Sequence, residues 1–207
     1  MTEHLLEGVE AFIFDLGGVI INLETHRTFQ AFVQASVLPA EEVLAITKRP
    51  EFAQFERGEL KAIEFRNFIR HVMRTALTDA ELDAAWNAMI LDIPPARLNL
   101  LKELGKHRPV FILSNTNEIH LNFVNHSTLA AHKLNNFAEL VHKDYYSHLL
   151  GMRKPEPEIF QHLLDAHKLN PATTLLLDDN EENILAADKL GLRTYHVPAN
   201  QLDLNLF

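Results

Sequence analysis

An aspartate at the end of the first apolar segment is the first residue whose position suggests chemistry. Asp15 follows the run from residue 9 to 14, which is short, apolar and rich in β-branched and aromatic residues, and Gly17 comes two positions later. Such a run predicts a buried strand that the glycine ends. A carboxylate at this end of a strand can act as a nucleophile, bind a metal ion or form a turn.

Two other apolar runs also end in polar residues. Ser114-Asn115-Thr116-Asn117 follows the run 110–113, and Asp178-Asp179-Asn180 follows the run 174–177. In a separate segment, Lys154 precedes Pro155, which holds the lysine out of the helical region and presents its side chain from a loop. If the runs form parallel strands, their C-terminal ends lie at one edge of a sheet, so we expect these polar residues to converge.

Apolar segments of strand length alternate with amphipathic segments of helix length. The strand candidates are residues 9–14, 110–113, 174–177 and 192–197, with 139–145 as a weaker one. Helical periodicity predicts helices over 94–106, 157–168 and 181–190. This order is typical of an α/β fold in which βαβ units form a parallel sheet.

The segment from about residue 25 to residue 91 contains no convincing strand. Its amphipathic stretches predict helices over 62–76 and 78–90, and Thr78 with Glu81 forms a capping box at the start of the second. The simplest arrangement is a helical module inserted directly after the first strand. We therefore expect a core of residues 1–22 and 92–207 and an inserted helical segment of residues 23–91.

Composition limits the class of protein and its partners. A chain of 207 residues, 47% hydrophobic and 23% charged, can bury a full core, and the absence of cysteine excludes disulfides, thiolate metal sites and cysteine nucleophiles. A net charge of -9 without a cluster of basic residues argues against binding nucleic acid. No apolar run approaches the length of a membrane span, and the N-terminus does not resemble a signal peptide. We expect a cytoplasmic protein without a membrane partner, as a monomer or homodimer.

Taken together and in this order, the polar segments resemble the four motifs of the haloacid dehalogenase superfamily. The segments are those of Asp15, Ser114, Lys154 and the pair Asp178-Asp179. The helical insertion lies where that superfamily places its small C1 cap, so the resemblance implies a Rossmann-like core with a parallel sheet and a small α-helical cap. The segments 114–117, 151–156 and 178–180 further resemble a bacterial phosphatase subgroup that acts on small sugar phosphates, including glucose 1-phosphate.

The resemblance implies a phosphatase reaction through a covalent intermediate. Asp15 would attack phosphorus and form an aspartyl phosphate that water later hydrolyses, which splits one difficult step into two easier ones. Lys154 would neutralise charge on the nucleophile and the phosphoryl oxygens. Ser114 and the main-chain amide of Asn115 would donate hydrogen bonds to those oxygens. The expected partner is a small phosphorylated metabolite.

The same resemblance implies a divalent cation, because several carboxylates share the site with a phosphate. Mg²⁺ suits carboxylate, carbonyl and phosphate oxygens. Its expected ligands are the Asp15 carboxylate, the Gly17 main-chain carbonyl, and Asp178 or Asp179.

Substrate contacts are expected from the core and from the inserted segment. The resemblance implies contacts by Gly18, Asn117 and Arg153 in the core. In the inserted segment, Gly58 permits a sharp turn that could direct Glu56 or Arg57 toward the substrate. The alternative is that this loop is simply solvated.

Gly17 departs from the pattern of most phosphatases of the superfamily, which carry an aspartate there that protonates the leaving oxygen. Glycine keeps its carbonyl for the metal ion but supplies no proton. Metal-independent 2-haloacid dehalogenases also lack that carboxylate, but they lose the acidic pair that this chain keeps in Asp178-Asp179. The phosphatase is therefore the favoured interpretation, with a dehalogenase or a catalytically inactive ligand-binding protein as the alternatives.

Overall fold

The computed structural model describes residues 5–207 and contains one parallel sheet of five strands. The strand order is β3-β2-β1-β4-β5, so the first strand lies at the centre. The strands are β1 Ala11–Phe14, β2 Val110–Ser114, β3 Lys143–Tyr146, β4 Thr174–Asp178 and β5 Arg193–His196. The predicted α/β class with a parallel sheet is confirmed.

The predicted strands all form, and the weakest candidate differs most from its prediction. The segment predicted at 139–145 becomes the edge strand β3, which begins only at Lys143. The residues before it form a short helical turn instead, in which the main-chain N–H groups of Leu140 and Val141 donate to the carbonyl of Phe137.

The helices divide into an inserted group and a group that covers the sheet. The inserted helices are α1 Thr25–Ala35, α2 Ala40–Ile46, α3 Pro50–Glu56, α4 Ala62–Met73 and α5 Asp79–Asn87. The others are α6 Pro95–Gly105, α7 Glu118–Phe123, α8 Ser147–Leu150, α9 Pro157–His167 and α10 Glu181–Lys189. No helix among residues 5–207 is long and apolar enough to cross a membrane.

Alternate residues of the buried strands pack on opposite faces of the sheet. Phe12 and Phe14 lie in one apolar cluster with Leu98 and Leu101 of α6, whereas Ile13 lies in a second cluster with residues of α9 and α10. This alternation follows from the two-residue period of a strand. The result is a three-layer core in which both faces of the sheet are covered, as parallel sheets require.

The inserted helices form a third apolar cluster of their own, which we call the cap. Its buried members are Phe32, Val43, Phe55, Ala62, Phe65, Ile69, Met73 and Leu82, joined by Ile119 of α7. The helix predicted over 62–76 ends at Met73, because Arg74 adopts a left-handed conformation. Thr78 caps α5 rather than belonging to it, and the predicted capping box with Glu81 is present.

The chain enters and leaves the cap at neighbouring positions. Leu23 and Ile90 form an antiparallel bridge. On either side of it, Asn22 and Asp92 pair through the main chain, as do Glu24 and Met89. The predicted division of the chain at 22/23 and 91/92 stays a prediction.

Candidate active site

A buried lysine joins two aspartates at the C-terminal ends of the central strands. Lys154 Nζ lies 2.9 Å from Asp15 Oδ1 and 2.5 Å from Asp178 Oδ2. Asp15 follows β1 and Asp178 ends β4, so adjacent strands supply both carboxylates. Lys154 is 1% exposed and Asp178 is fully buried. The structure therefore brings together three of the residues that the sequence predicted to converge.

Asp178 is fixed by partners on both of its oxygens. Its Oδ1 accepts hydrogen bonds from the main-chain N–H of Asn180 and from Asn183 Nδ2, each at 2.9 Å. Its Oδ2 accepts the hydrogen bond from Lys154. Asp179 lies alongside with a half-buried carboxylate. Oxygens from Asp15, Asp178 and Asp179 lie within 4.8 Å of one another, and these are the only such trio of acidic, histidine or cysteine side chains among residues 5–207.

The three carboxylates outnumber the one ammonium group that neutralises them. Two charges about 4 Å apart interact by about 4 kcal/mol at an effective dielectric of 20. Burial, only partly offset by Lys154, raises the pKa of Asp15 to about 7, and the charge of Asp178 adds to the rise. Burial also raises the pKa of Asp179. For Lys154, burial lowers the pKa but Asp15 and Asp178 outweigh it, so the net shift is upward and the group stays charged.

Hydrogen bonds from side chains to main chain fix the loop of Ser114 relative to the segment of Lys154. The side chain of Asn115 accepts from the Lys154 main-chain N–H and donates to its carbonyl, both at 2.8 Å. Ser147 likewise pairs with the N–H and the carbonyl of Thr116 at 2.9 and 3.0 Å. The resemblance implies a role for the main-chain amide of Asn115, and the structure adds that its side chain positions the segment of Lys154.

Gly17 and Gly18 lie where side chains would collide with neighbours. A Cβ atom on Gly17 would lie 2.6 Å from Leu23 Cδ1, so Leu23 fills the space that a side chain at position 17 would need. A Cβ on Gly18, which has a φ of +71°, would lie 2.1 Å from Asp179 Oδ2. Gly18 therefore allows the Asp179 carboxylate to lie against the main chain of the first loop.

A mostly apolar cavity opens beside these loops. It is lined by Gly17, Leu23, Ser114 and Asn115 from the core and by Glu56, Trp86, Met89 and Ile90 from the cap side, with His120 of α7 among the remaining residues. The Trp86 and His120 rings stack with centroids 4.7 Å apart. Since the cavity adjoins Ser114, a group attached to a bound phosphate has space to lie there.

His120 is a half-buried histidine in the wall of this cavity. Its Nε2 lies 3.1 Å from the carbonyl of Trp86, and its Nδ1 lies 3.2 Å from Asn117 Nδ2. Burial lowers the pKa of His120 to about 4. Neither His120 nor Trp86 can be recognised from the sequence as lining a site, since a single histidine or tryptophan on a helix has no diagnostic spacing.

Asn117 is expected to contact the substrate, but its side chain makes hydrogen bonds within the protein. It is 1% exposed, and its Oδ1 accepts from the main-chain N–H of His120 at 3.0 Å, which caps α7. The same oxygen lies 3.3 Å from Trp86 Nε1. The structure thus gives Asn117 a role in fixing the Trp86 and His120 wall.

Reciprocal ion pairs join the end of α3 in the cap to the segment that carries Lys154. Arg153 Nε and Nη2 both lie 2.9 Å from Glu56 Oε2, and Arg57 pairs with Glu156. A Cβ on Gly58 would lie 2.1 Å from the carbonyl oxygen of His148, so the loop packs directly on the core main chain. The structure therefore docks this loop on the core. This arrangement differs from the alternative of a simply solvated loop.

Comparison with known proteins agrees with this geometry. Residues 9–191 match the haloacid dehalogenase-like hydrolase family, a range that includes the inserted helices and every strand end described above except that of β5. The chain belongs to this family. The predicted resemblance, and with it the Rossmann-like core, is confirmed.

Two relatives of this haloacid dehalogenase-like hydrolase are phosphatases by name. A D-ribitol-5-phosphate phosphatase of Bacteroides thetaiotaomicron is 30% identical over 198 residues, which cover 94% of each chain. A sesquiterpene phosphatase of Aspergillus oryzae is 28% identical over 199 residues, 91% of this chain and 89% of the relative. A family enzyme of Bacteroides thetaiotaomicron, solved with magnesium and inorganic phosphate, superposes with a TM-score of 0.87 at 33% identity and covers 96% of this chain and 99% of its own.

Proposed function

We propose that this hydrolase is an Mg²⁺-dependent phosphatase that acts on small phosphomonoesters, with sugar and polyol phosphates as the substrate class. The observation that carries the proposal is the buried cluster in which Lys154 bridges Asp15 and Asp178 while a third carboxylate lies alongside. The names of the relatives and the magnesium and phosphate bound to a similar structure support it. Glucose 1-phosphate, which the sequence suggested, belongs to this substrate class.

The residues present fit a divalent cation. Three carboxylates against one ammonium leave an excess of negative charge, and burial holds the pKa of Asp15 far above its usual range until that charge is balanced. The ion would be held by the main-chain carbonyl of Gly17 and by the carboxylates of Asp15, Asp178 and Asp179. Asp179 has the more open carboxylate, since both oxygens of Asp178 already accept hydrogen bonds. Bound Mg²⁺ would polarise the phosphoryl oxygens and lower the charge that the nucleophile meets.

The protein groups then divide the reaction between them. Asp15, which is 8% exposed, attacks phosphorus and forms the aspartyl phosphate. Lys154 stabilises negative charge on Asp15 and on the transferred group, and the Ser114 hydroxyl and the Asn115 main-chain amide donate to the phosphoryl oxygens. The Asn115 side chain keeps Lys154 in place throughout.

Substrate recognition would rest on the cavity and on the loops around it. Gly18 contributes main chain beside Asp179, and Arg153 with Glu56 and Arg57 forms the charged edge where the cap meets the core. The aromatic wall suits the carbon-bound face of a polyol or sugar, and Glu56 suits its hydroxyl groups.

The test is phosphate release by the purified protein from p-nitrophenyl phosphate, ribitol 5-phosphate and glucose 1-phosphate. We expect release with Mg²⁺, its loss with chelator, and its loss in Asp15→Asn. An Asp165→Asn variant serves as the control, because Asp165 is an exposed residue of α9. Halide release from 2-chloropropionate that survives chelation would contradict the proposal, and so would the absence of any turnover.

A further inference from the structure

Cleavage of a sugar or polyol phosphate expels an alkoxide, which is a poor leaving group unless it receives a proton. A positioned acid contributes about two to four orders of magnitude to such a step. Position 17 supplies no acid, and Leu23 Cδ1 occupies the space beside it. The donor must therefore be sought among the other groups that line the cavity.

Only two titratable side chains line the cavity within the part of the chain that the structure describes, namely Glu56 and His120. His120 does not carry a spare proton at neutral pH, since burial lowers its pKa to about 4. Both of its ring nitrogens are also engaged, by Asn117 and by the carbonyl of Trp86. This leaves Glu56.

The carboxyl group of Glu56 is held with one oxygen bound and the other available. Oε2 accepts from both Nε and Nη2 of Arg153, and Oε1 has no hydrogen-bond partner among residues 5–207. Burial raises the pKa of Glu56, and this outweighs the lowering caused by Arg153 and by the neighbouring Arg57. The charge of Arg57 is shared with Glu156 and Glu59. A carboxyl group in this setting keeps a proton to a higher pH than an exposed one.

We propose that Glu56 is the catalytic acid and base of the reaction, an assignment that rests on the proposed phosphatase function. In the first half, Asp15 bonds to phosphorus as the bond from phosphorus to the leaving oxygen breaks, and the Glu56 proton moves to that oxygen to give an alcohol. In the second half, water bonds to phosphorus as the bond to Asp15 breaks. The water proton moves to Glu56, which restores both carboxyl groups and releases phosphate.

The experiment compares two leaving groups in one variant. p-Nitrophenolate leaves without help, whereas the alkoxide of ribitol 5-phosphate does not. We expect Glu56→Gln to lower kcat/KM, which reports the steps up to release of the leaving group, by about 100-fold or more for ribitol 5-phosphate and by less than about 5-fold for p-nitrophenyl phosphate. The kcat for both substrates should fall, because both share the hydrolysis of the aspartyl phosphate that Glu56 assists as base. Glu56→Asp, which keeps the acid but shortens its reach, should fall between Gln and the wild type for the poor leaving group.

A matched variant separates acid catalysis from the ion pair. Arg153→Met removes the same ion pair but keeps the Glu56 carboxyl, so its losses of kcat/KM for the two substrates should differ by far less than those in Glu56→Gln. Glu59→Gln, which removes a neighbouring exposed carboxylate, should show no leaving-group dependence. Thermal unfolding of each variant confirms that it is folded.

The outcomes distinguish this assignment from the proposed function. Equal losses of kcat/KM for both substrates in Glu56→Gln and Glu56→Asp would overturn the acid role while leaving the phosphatase intact. Failure of the wild type to release phosphate from either substrate would overturn the phosphatase itself, and the assignment with it.

Discussion

The strand-end cluster and the cap-loop ion pairs use the same types of charged residue in opposite surroundings. Lys154 and Asp178 have side chains that are 1% and 0% exposed. Arg57 and Glu156, which join the cap to the core, are 28% and 33% exposed. The first group is anchored by buried strands, whereas the second lies at the edge of a loop.

This difference in exposure corresponds to a difference in how much each ion pair contributes to the free energy of unfolding. Removing one partner of a buried ion pair costs about 3–5 kcal/mol because it leaves an uncompensated charge, whereas an exposed pair is worth about 0–1 kcal/mol. The reacting groups therefore have a rigid environment. The ion pairs between cap and core contribute less to stability than the buried cluster.

The strongest test of this comparison is Lys154→Met. Asp15 and Asp178 would then be buried without a cation, so we expect the free energy of unfolding to fall by about 3 kcal/mol. Phosphatase activity should fall by about 1000-fold or more, because Lys154 also neutralises the transferred group. Urea denaturation with chelator present measures the first effect. Lys102→Met, at an exposed lysine of α6, is the control, and equal stability of the two variants would break the comparison.

A second test concerns His120, which is half-buried at the boundary between cap and core. Its pKa is lowered from 6.5 to about 4 by burial, so the stability that comes from keeping it neutral is complete above pH 6.5 and is lost as the pH falls toward 4. Between pH 7 and pH 4.5 this loss amounts to about 2 kcal/mol. We expect the pH dependence of stability in His120→Phe to be smaller by that amount in urea denaturation. An unchanged dependence would show that the histidine is not buried neutral.

A third and smaller effect is expected at Gly17, where the contact with Leu23 decides the outcome. Gly17→Ala should cost about 1 kcal/mol, because its Cβ would lie 2.6 Å from Leu23 Cδ1. In a Leu23→Ala background the same change should be neutral, since the space is then free. A double-mutant cycle on the four proteins measures this coupling. Equal costs in both backgrounds would show that Leu23 does not occupy that space.

The smallest effect is expected for the partly exposed pair of Arg57 and Glu156. Arg57→Glu and Glu156→Arg should each lower the free energy of unfolding by about 1 kcal/mol or less, and the double variant should recover most of it. The effect should shrink in high salt, because exposed charges are screened. A loss in either single variant as large as that in Lys154→Met would erase the distinction between the two regions.

The reaction centre could be predicted from the sequence because each of its residues is tied to the end of a strand. Asp15, Ser114 and Asp178 each end a short apolar run, and parallel strands bring such ends together. The proline after Lys154 predicts only that the lysine lies on a loop, and its role is predicted from the resemblance of Arg153-Lys154-Pro155 to a motif of the family. Each of these signals lies within a short segment of the sequence, and the parallel sheet brings the segments together in space.

The surroundings of that centre could not be predicted, because they depend on packing between distant segments. No short segment of the sequence shows that Leu23 fills the space beside Gly17. Nor does any show that the Asn117 side chain caps α7 and bonds Trp86. The pairing of Glu56 with Arg153 joins residues 97 positions apart. Only the fold shows which cap carboxylate lines the cavity.

The bridge between Leu23 and Ile90 bears on how such a protein can acquire a new specificity. Because the chain leaves and rejoins the sheet domain at adjacent positions, the helical segment between them can be lengthened, shortened or exchanged without altering strand order. Its separate apolar cluster makes it a unit that carries much of its own packing. The fold thus permits the segment that lines the cavity to be replaced by recombination at two neighbouring points, so that the nucleophile and Lys154 are retained while the proposed acid Glu56 is exchanged with the cap.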